Sequence, residues 1–131
     1  MSPAPGLRRA GCVLGAALLA VTALAPAGCV SLPPARAITD IKLIAGQWRG
    51  QIVFGRGSYQ LFYLTINPDS TLMASWEGGT RWGRVTLEGG RARFSLYIWS
   101  GNLDYLEGGG DRVLLLKEDF SQWDALVRPL S

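Results

Sequence analysis

The chain has 131 residues, a formal net charge of +3 and no histidine. Two of its 13 Lys+Arg, Arg8 and Arg9, belong to the N-terminal leader, leaving 11 cations against 10 acids; that near balance gives no electrostatic footprint for nucleic acid. Without histidine the commonest general base, the usual nucleophilic triads and most zinc sites are gone, and the length holds one domain. In chain order, Met1 to Gly11 is a basic segment, and Cys12 to Leu24 is an almost unbroken apolar run. That run is shorter than the roughly 20 residues a spanning helix needs, so residues 1–28 read as a cleaved signal peptide. Cys12 leaves with it, and the mature chain keeps only Cys29, which excludes an intrachain disulfide. Residues 29–37 (with Val-Ser-Leu-Pro-Pro-Ala-Arg-Ala after the cysteine) read as a tether, and 38–131 as the domain.

The segment Ala25-Pro26-Ala27-Gly28-Cys29 resembles the lipobox of bacterial lipoproteins, with Pro26 where leucine is usual. The resemblance implies that the Cys29 thiol carries diacylglycerol, with acyl chains such as palmitate, and that the protein faces the periplasm or exterior from a bacterial envelope membrane. The competing readings are plain secretion, with a cut after Ala25 that places Pro26 beyond the scissile bond, and an uncleaved anchor.

Beyond residue 46 glycine punctuates the chain, and between the glycines lie runs rich in Trp, Tyr, Phe, Ile, Leu, Val and Thr. Evenly spaced turns and short β-prone runs predict an all-β domain, a small antiparallel up-and-down meander. Eight strands are expected, at 47–54, 58–66, 71–77, 80–88, 91–99, 103–107, 111–118 and 122–128, in a closed or nearly closed barrel. Residues 38–45 suit one helical turn capped by Thr39 or Asp40. The Gly89-Gly90 pair demands positive φ, so its flanks pair directly, from Glu88 with Arg91 to Trp82 with Tyr97. That register puts Val85, Leu87, Ala92, Phe94 and Leu96 on one side and Arg84, Thr86, Glu88, Arg91, Arg93 and Ser95 on the other. Treating Gly78-Gly79 alike pairs Trp76 with Arg81, and the 67–71 turn pairs Ile66 with Leu72. A slip of one residue would bury Arg84, Arg91 and Arg93, which desolvation forbids.

Gly46-Gln47-Trp48 at the start of the first strand, with Arg128 near the end of the last, resembles the lipocalin–calycin pattern. The resemblance covers about residues 38 to 130, in a domain shorter than a typical lipocalin. It implies that Arg128 packs on Trp48 to close one end, and that a small hydrophobic or amphipathic molecule binds inside. The turns place Phe62, Trp76, Arg81 and Ile98 inward near the open end, above Leu96. Arg81 then either clamps a ligand carboxylate or phosphate, or stacks on Trp76 and plugs the barrel. Outside, Trp82 and Tyr97 face each other near Arg84 and Arg93. They read either as a contact patch for an envelope protein or membrane headgroups, or as a cross-strand pair that stiffens the hairpin.

No cofactor or metal site is expected, and no catalytic residue. Glu77, Glu88, Glu107, Asp111 and Asp119 stand singly at strand ends. Asn67-Pro68-Asp69-Ser70 is a corner with too few carboxylates for calcium, and the glycine clusters do not join a strand to a helix. Paired-carboxylate chemistry is the one enzyme class the composition leaves open. Two readings of function follow, a lipid-anchored barrel that binds or shuttles an amphipathic molecule, and a solid barrel that meets a protein partner.

Overall fold

In the computed structural model the described residues are 31–55 and 57–130. The expected signal peptide, residues 1–28, and Cys29 lie outside them. From Pro33 onward the chain forms one compact unit. Its strands are β1 (Ala35–Arg36), β2 (Gly46–Phe54), β3 (Ser58–Ile66), β4 (Thr71–Trp76), β5 (Gly79–Glu88), β6 (Arg91–Leu96), β7 (Trp99–Gly108), β8 (Asp111–Glu118) and β9 (Trp123–Pro129). Hydrogen bonding runs β1-β7-β6-β5-β4-β3-β2-β9-β8, and β8 returns to β7. Strands β2 to β9 therefore close into an eight-stranded antiparallel barrel, with β1 added on the side of β7.

Alternation explains the closure. Successive side chains on a strand point to opposite faces, and on every strand one set is apolar. Trp48, Ile52, Phe62, Leu64, Ile66, Leu72, Ala74, Val85, Phe94, Leu96, Leu103, Leu114, Leu116, Ala125 and Val127 form one continuous buried cluster. The register at Gly89-Gly90 is as expected from Glu88↔Arg91 to Gly83↔Leu96, and Ile66 pairs with Leu72. At the β4–β5 hairpin the turn is Glu77-Gly78, so Trp76 pairs with Gly79 and Arg81 with Ala74. This is two residues away from the expected pairing. A shift of two leaves every side chain on its own face, so hydrophobic alternation is blind to it.

The fifth expected strand also ends earlier. Leu96 pairs with Trp99, and Tyr97-Ile98 form the turn in place of residues 100–102. Gly101 is not a turn residue; it lies opposite Phe94, where a Cβ would overlap the Lys117 carbonyl oxygen. It is glycine because β7 and β8 approach closely there.

Residues 33–37, part of the segment read as a tether, are held against the barrel. Strand β7 runs past the start of β6, which leaves an unpaired edge, and an unpaired edge is a liability. Strand β1 covers it: Ala35 pairs with Leu106, Arg36 with Tyr105, and the Glu107 N–H donates to the Pro34 carbonyl at 3.0 Å. The chain then crosses the end of the barrel as a single 3-10 turn, Ile41–Leu43. Of the two expected caps Asp40 serves, its carboxylate accepting from the Lys42 N–H at 2.9 Å.

That turn and Trp48 close the floor. Trp48 is buried and its Nε1–H donates to the Ile44 carbonyl at 2.9 Å. The arginine on this tryptophan is Arg112, with Cζ 5.2 Å from the Trp48 ring centre, and not Arg128. Arg112 also donates to the Tyr105 hydroxyl at 3.1 Å and the Leu43 carbonyl at 2.9 Å, tying the 3-10 turn to the barrel. Strand parity decides between the two arginines. Val127 points inward, so Arg128 points outward, where it pairs with Asp111 at 3.0 Å. Arg112 shares its side of β8 with the inward Leu114 and Leu116.

Candidate binding site at the open end of the barrel

The opposite end is built from the turn residues Gly55 and Gly57 and the 77–78, 97–98 and 119–122 turns. Four aromatic rings from β3, β4, β7 and β9 form a closed collar just inside it. Phe62 to Trp76 is 5.9 Å between ring centres, Trp76 to Trp99 5.8 Å, Trp99 to Trp123 6.0 Å, and Trp123 to Phe62 6.4 Å. Tilted and edge-on pairs at these separations are favourable for the ring quadrupoles. Beneath the collar Phe94 packs 5.4 Å from Trp123. Leu64, Leu72, Phe94 and Leu96 are each at most 1% exposed, so the lower barrel is filled by its own side chains.

Arg81 points inward on β5, sharing its face with Ala74. Its guanidinium lies 4.7 Å from the Tyr97 ring and 6.0 Å from the Trp76 ring, and Nη1 donates to the Thr80 carbonyl at 3.1 Å. The two ion pairs among the described residues are Arg93–Asp119 and Arg128–Asp111, so Arg81 has no carboxylate partner there. Trp76 is half-buried beside it, whereas Phe62 and Leu96 are fully covered and touch no solvent. Ile98 does not point inward; it sits on the turn, 74% exposed.

The expected outer patch is rearranged as well. Tyr97 adopts φ 56° in the turn and turns its ring toward Trp99 and Arg81, leaving Trp82 alone on the outer face at 64% exposure. Arg93 is spent internally, with bonds of 2.7 and 2.6 Å to both Asp119 carboxylate oxygens and 3.0 Å to Asn102. Arg84 remains exposed on β5. The buried Glu118 carboxylate accepts from the Phe120 and Gln122 N–H groups, 2.9 Å each, and shapes the turn that carries Phe120.

Of the five most exposed large apolar side chains of the described domain, Tyr97, Ile98 and Phe120 lie in the turns of this end, whereas Tyr59 and Trp82 face outward on β3 and β5. Sequence reading missed Gln60, Phe120 and Trp123 here, and it set Trp99 beside the outer Trp82–Tyr97 pair, whereas the ring packs inward against Trp76 and Trp123. Period-two alternation from the 58–66 run would have placed Gln60 inward, since it is in phase with Phe62 and Leu64. Two further clefts lie on the outside. One, of about 290 Å³, runs between Val53, Tyr59, Leu115 and Leu126; the other, of about 370 Å³, lies beside β1 near Arg36 and Arg91. Among the described residues no group of three or more His, Cys, Asp or Glu is placed to hold a metal ion.

The surface carboxylates respond to their partners. The Arg93 guanidinium bonded to Asp119 holds that carboxyl below its ordinary value of 3.8, and Arg128 does the same for Asp111. Groups whose folded pKa is depressed stabilise the fold above the unfolded value, and that stability is lost as pH falls through the folded one. The melting temperature should therefore hold level from neutral pH to about pH 5 and fall below about pH 4. Arg93→Leu should melt lower than wild type at neutral pH, and the gap should narrow toward about pH 2 as Asp119 protonates. A gap of constant width across that range would remove the pair from the account.

The molecule is thus a closed eight-stranded antiparallel barrel with a plugged floor, a filled interior and an aromatic, cation-bearing mouth. No protein family, curated protein or solved structure matches the chain.

Proposed function

We propose that this is a non-enzymatic envelope lipoprotein whose barrel binds a small amphipathic molecule at its open end. The observation that carries the reading is the exposure of Tyr97, Ile98 and Phe120 in the turns of that end, with the Arg81 guanidinium against the Tyr97 ring and without a carboxylate partner among the described residues. Monomeric domains seldom gather apolar surface at one place without something to cover it. The filled interior moves the site from the lumen, where the lipocalin resemblance puts it, to the rim. Ligand contacts accordingly pass from Phe62 and Leu96 to Trp76, Tyr97, Ile98 and Phe120, with Arg81 kept. The lipobox-like Ala27-Gly28-Cys29 supports the anchor, and among the described residues the chain joins the barrel through β1 on the side of β7.

Two measurements test this together. Cys29→Ser should release the protein from membranes and abolish labelling by radiolabelled fatty acid; unchanged fractionation with an N-terminus at Pro26 would mean plain secretion. Intrinsic fluorescence should respond to straight-chain acids, with affinity rising about fourfold per added methylene, then levelling once the rim is covered. The solid interior also favours a second reading, in which the open end and the outer Trp82 and Arg84 meet a protein partner. A flat titration with every acid would leave that one standing.

A further inference from the structure

We propose that the aromatic collar is a head-group site for a small carboxylate that carries a hydrogen-bond donor beside its carboxyl, as a 2-hydroxy acid does. This deepens the reading of the open end as an amphiphile site and rests on it. Among the described residues three buried side-chain polar atoms have no hydrogen-bond partner: Gln60 Oε1, Arg81 Nε and Trp123 Nε1. All three come from the open end, since Gln60 is the third residue of β3, Arg81 the third of β5, and Trp123 the first of β9. Trp123 is 2% exposed and belongs to the collar itself. Buried polar groups are almost always paired, because an unpaired one forfeits its hydration for nothing. Three unpaired atoms at one end of one barrel, one of them on a ring of the collar and one on an arginine 6.0 Å from another, specify what would complete them.

The set consists of two donors, Arg81 Nε–H and Trp123 Nε1–H, and one acceptor, Gln60 Oε1. A carboxylate offers two oxygens to the two donors, and its charge matches the single guanidinium. A phosphate would bring up to two charges against that one cation and more oxygens than there are donors. The buried Glu118 carboxylate is already held by the Phe120 and Gln122 N–H groups. Gln60 Oε1 then asks for a donor next to the carboxyl. Leu64, Leu72, Phe94 and Leu96 fill the space below, so the apolar tail runs outward across Tyr97, Ile98 and Phe120. The head group lies inward and the tail lies on the rim, the reverse of a ligand threaded tail-first into a hollow barrel.

Calorimetric titration of the mature protein with octan-1-ol, octanoate and 2-hydroxyoctanoate tests the assignment at constant tail length. Octanoate should bind roughly tenfold or more tighter than the alcohol, because its hydrogen bonds are charge-assisted, and the hydroxy acid a further two- to tenfold tighter. Arg81→Leu should erase the preference for acid over alcohol, and Gln60→Leu the preference for hydroxy acid over acid. Gln60→Leu should melt no lower than wild type, since it replaces an unpaired buried acceptor by an apolar group, whereas Arg81→Leu also gives up the Thr80 hydrogen bond and the stacking on Tyr97 and is read by its binding preference alone. The wild-type series alone decides the matter should a variant misfold. Equal binding of alcohol and acid overturns the head-group site while leaving amphiphile binding at the rim intact. No binding by any of the three overturns both.

Discussion

Trp48→Ala should lower the unfolding free energy by about 3–5 kcal/mol, the range for truncating a large buried aromatic. Three losses combine at this residue. The ring is 2% exposed, so its removal leaves a cavity at the barrel floor. The buried Ile44 carbonyl loses the Nε1–H donor that satisfies it, and the Arg112 guanidinium loses the ring it stacks on at 5.2 Å. Because Arg112 also holds the Leu43 carbonyl, the 3-10 turn should loosen, and amide exchange at residues 41–44 should rise. Trp82→Ala, on the outer wall at 64% exposure, should cost on the order of 1 kcal/mol or less. Urea unfolding of both variants makes the comparison, and equal losses would contradict the floor described above.

Gly83→Ala should be nearly as damaging, for a reason unrelated to burial of apolar area. A Cβ at this position would overlap the Ser95 carbonyl oxygen and lie 2.9 Å from the Leu96 Cα, both of them backbone on the paired strand. No side chain can rotate away, so β6 itself must shift, and overpacking of this kind costs about 3 kcal/mol. Gly89→Ala is the control. Its Cβ would meet nothing within 4 Å, and only the positive φ of 60° is penalised, at about 1 kcal/mol. If the two alanines cost the same, the close approach of β5 and β6 is not what requires glycine at position 83.

The inner face was legible because burial enforces a period of two and charges police it. With Arg84, Arg91 and Arg93 on one side of the hairpin, Val85, Leu87, Ala92 and Phe94 had to take the other, and the structure pairs them so. The same parity was available for the floor and went unused. Arg112 is in phase with Leu114 and Leu116, whereas Arg128 is out of phase with Val127. The lipocalin-like Gly-x-Trp drew attention to the last strand, yet the neighbouring arginine of β8 does the stacking. Pairing at the β4–β5 hairpin was beyond parity altogether, since a two-residue shift moves no side chain between faces.

By itself the sequence determined an all-antiparallel barrel of eight strands, the strand boundaries to within a few residues at most positions, and the inward sense of Trp48, Phe62, Trp76 and Arg81. Local pattern suffices for these because each strand must hide one face. Only the tertiary structure decided that Tyr97-Ile98 turn while Gly101 stays in a strand, because Gly101 answers to Lys117 on β8, 16 positions along the chain. It alone assembled the collar from Phe62, Trp76, Trp99 and Trp123, which lie on four different strands and about 6 Å apart in space. The mouth is a property of closure: curling the sheet on itself brings Gln60, Arg81 and Trp123 to one end, and no stretch of sequence contains that neighbourhood.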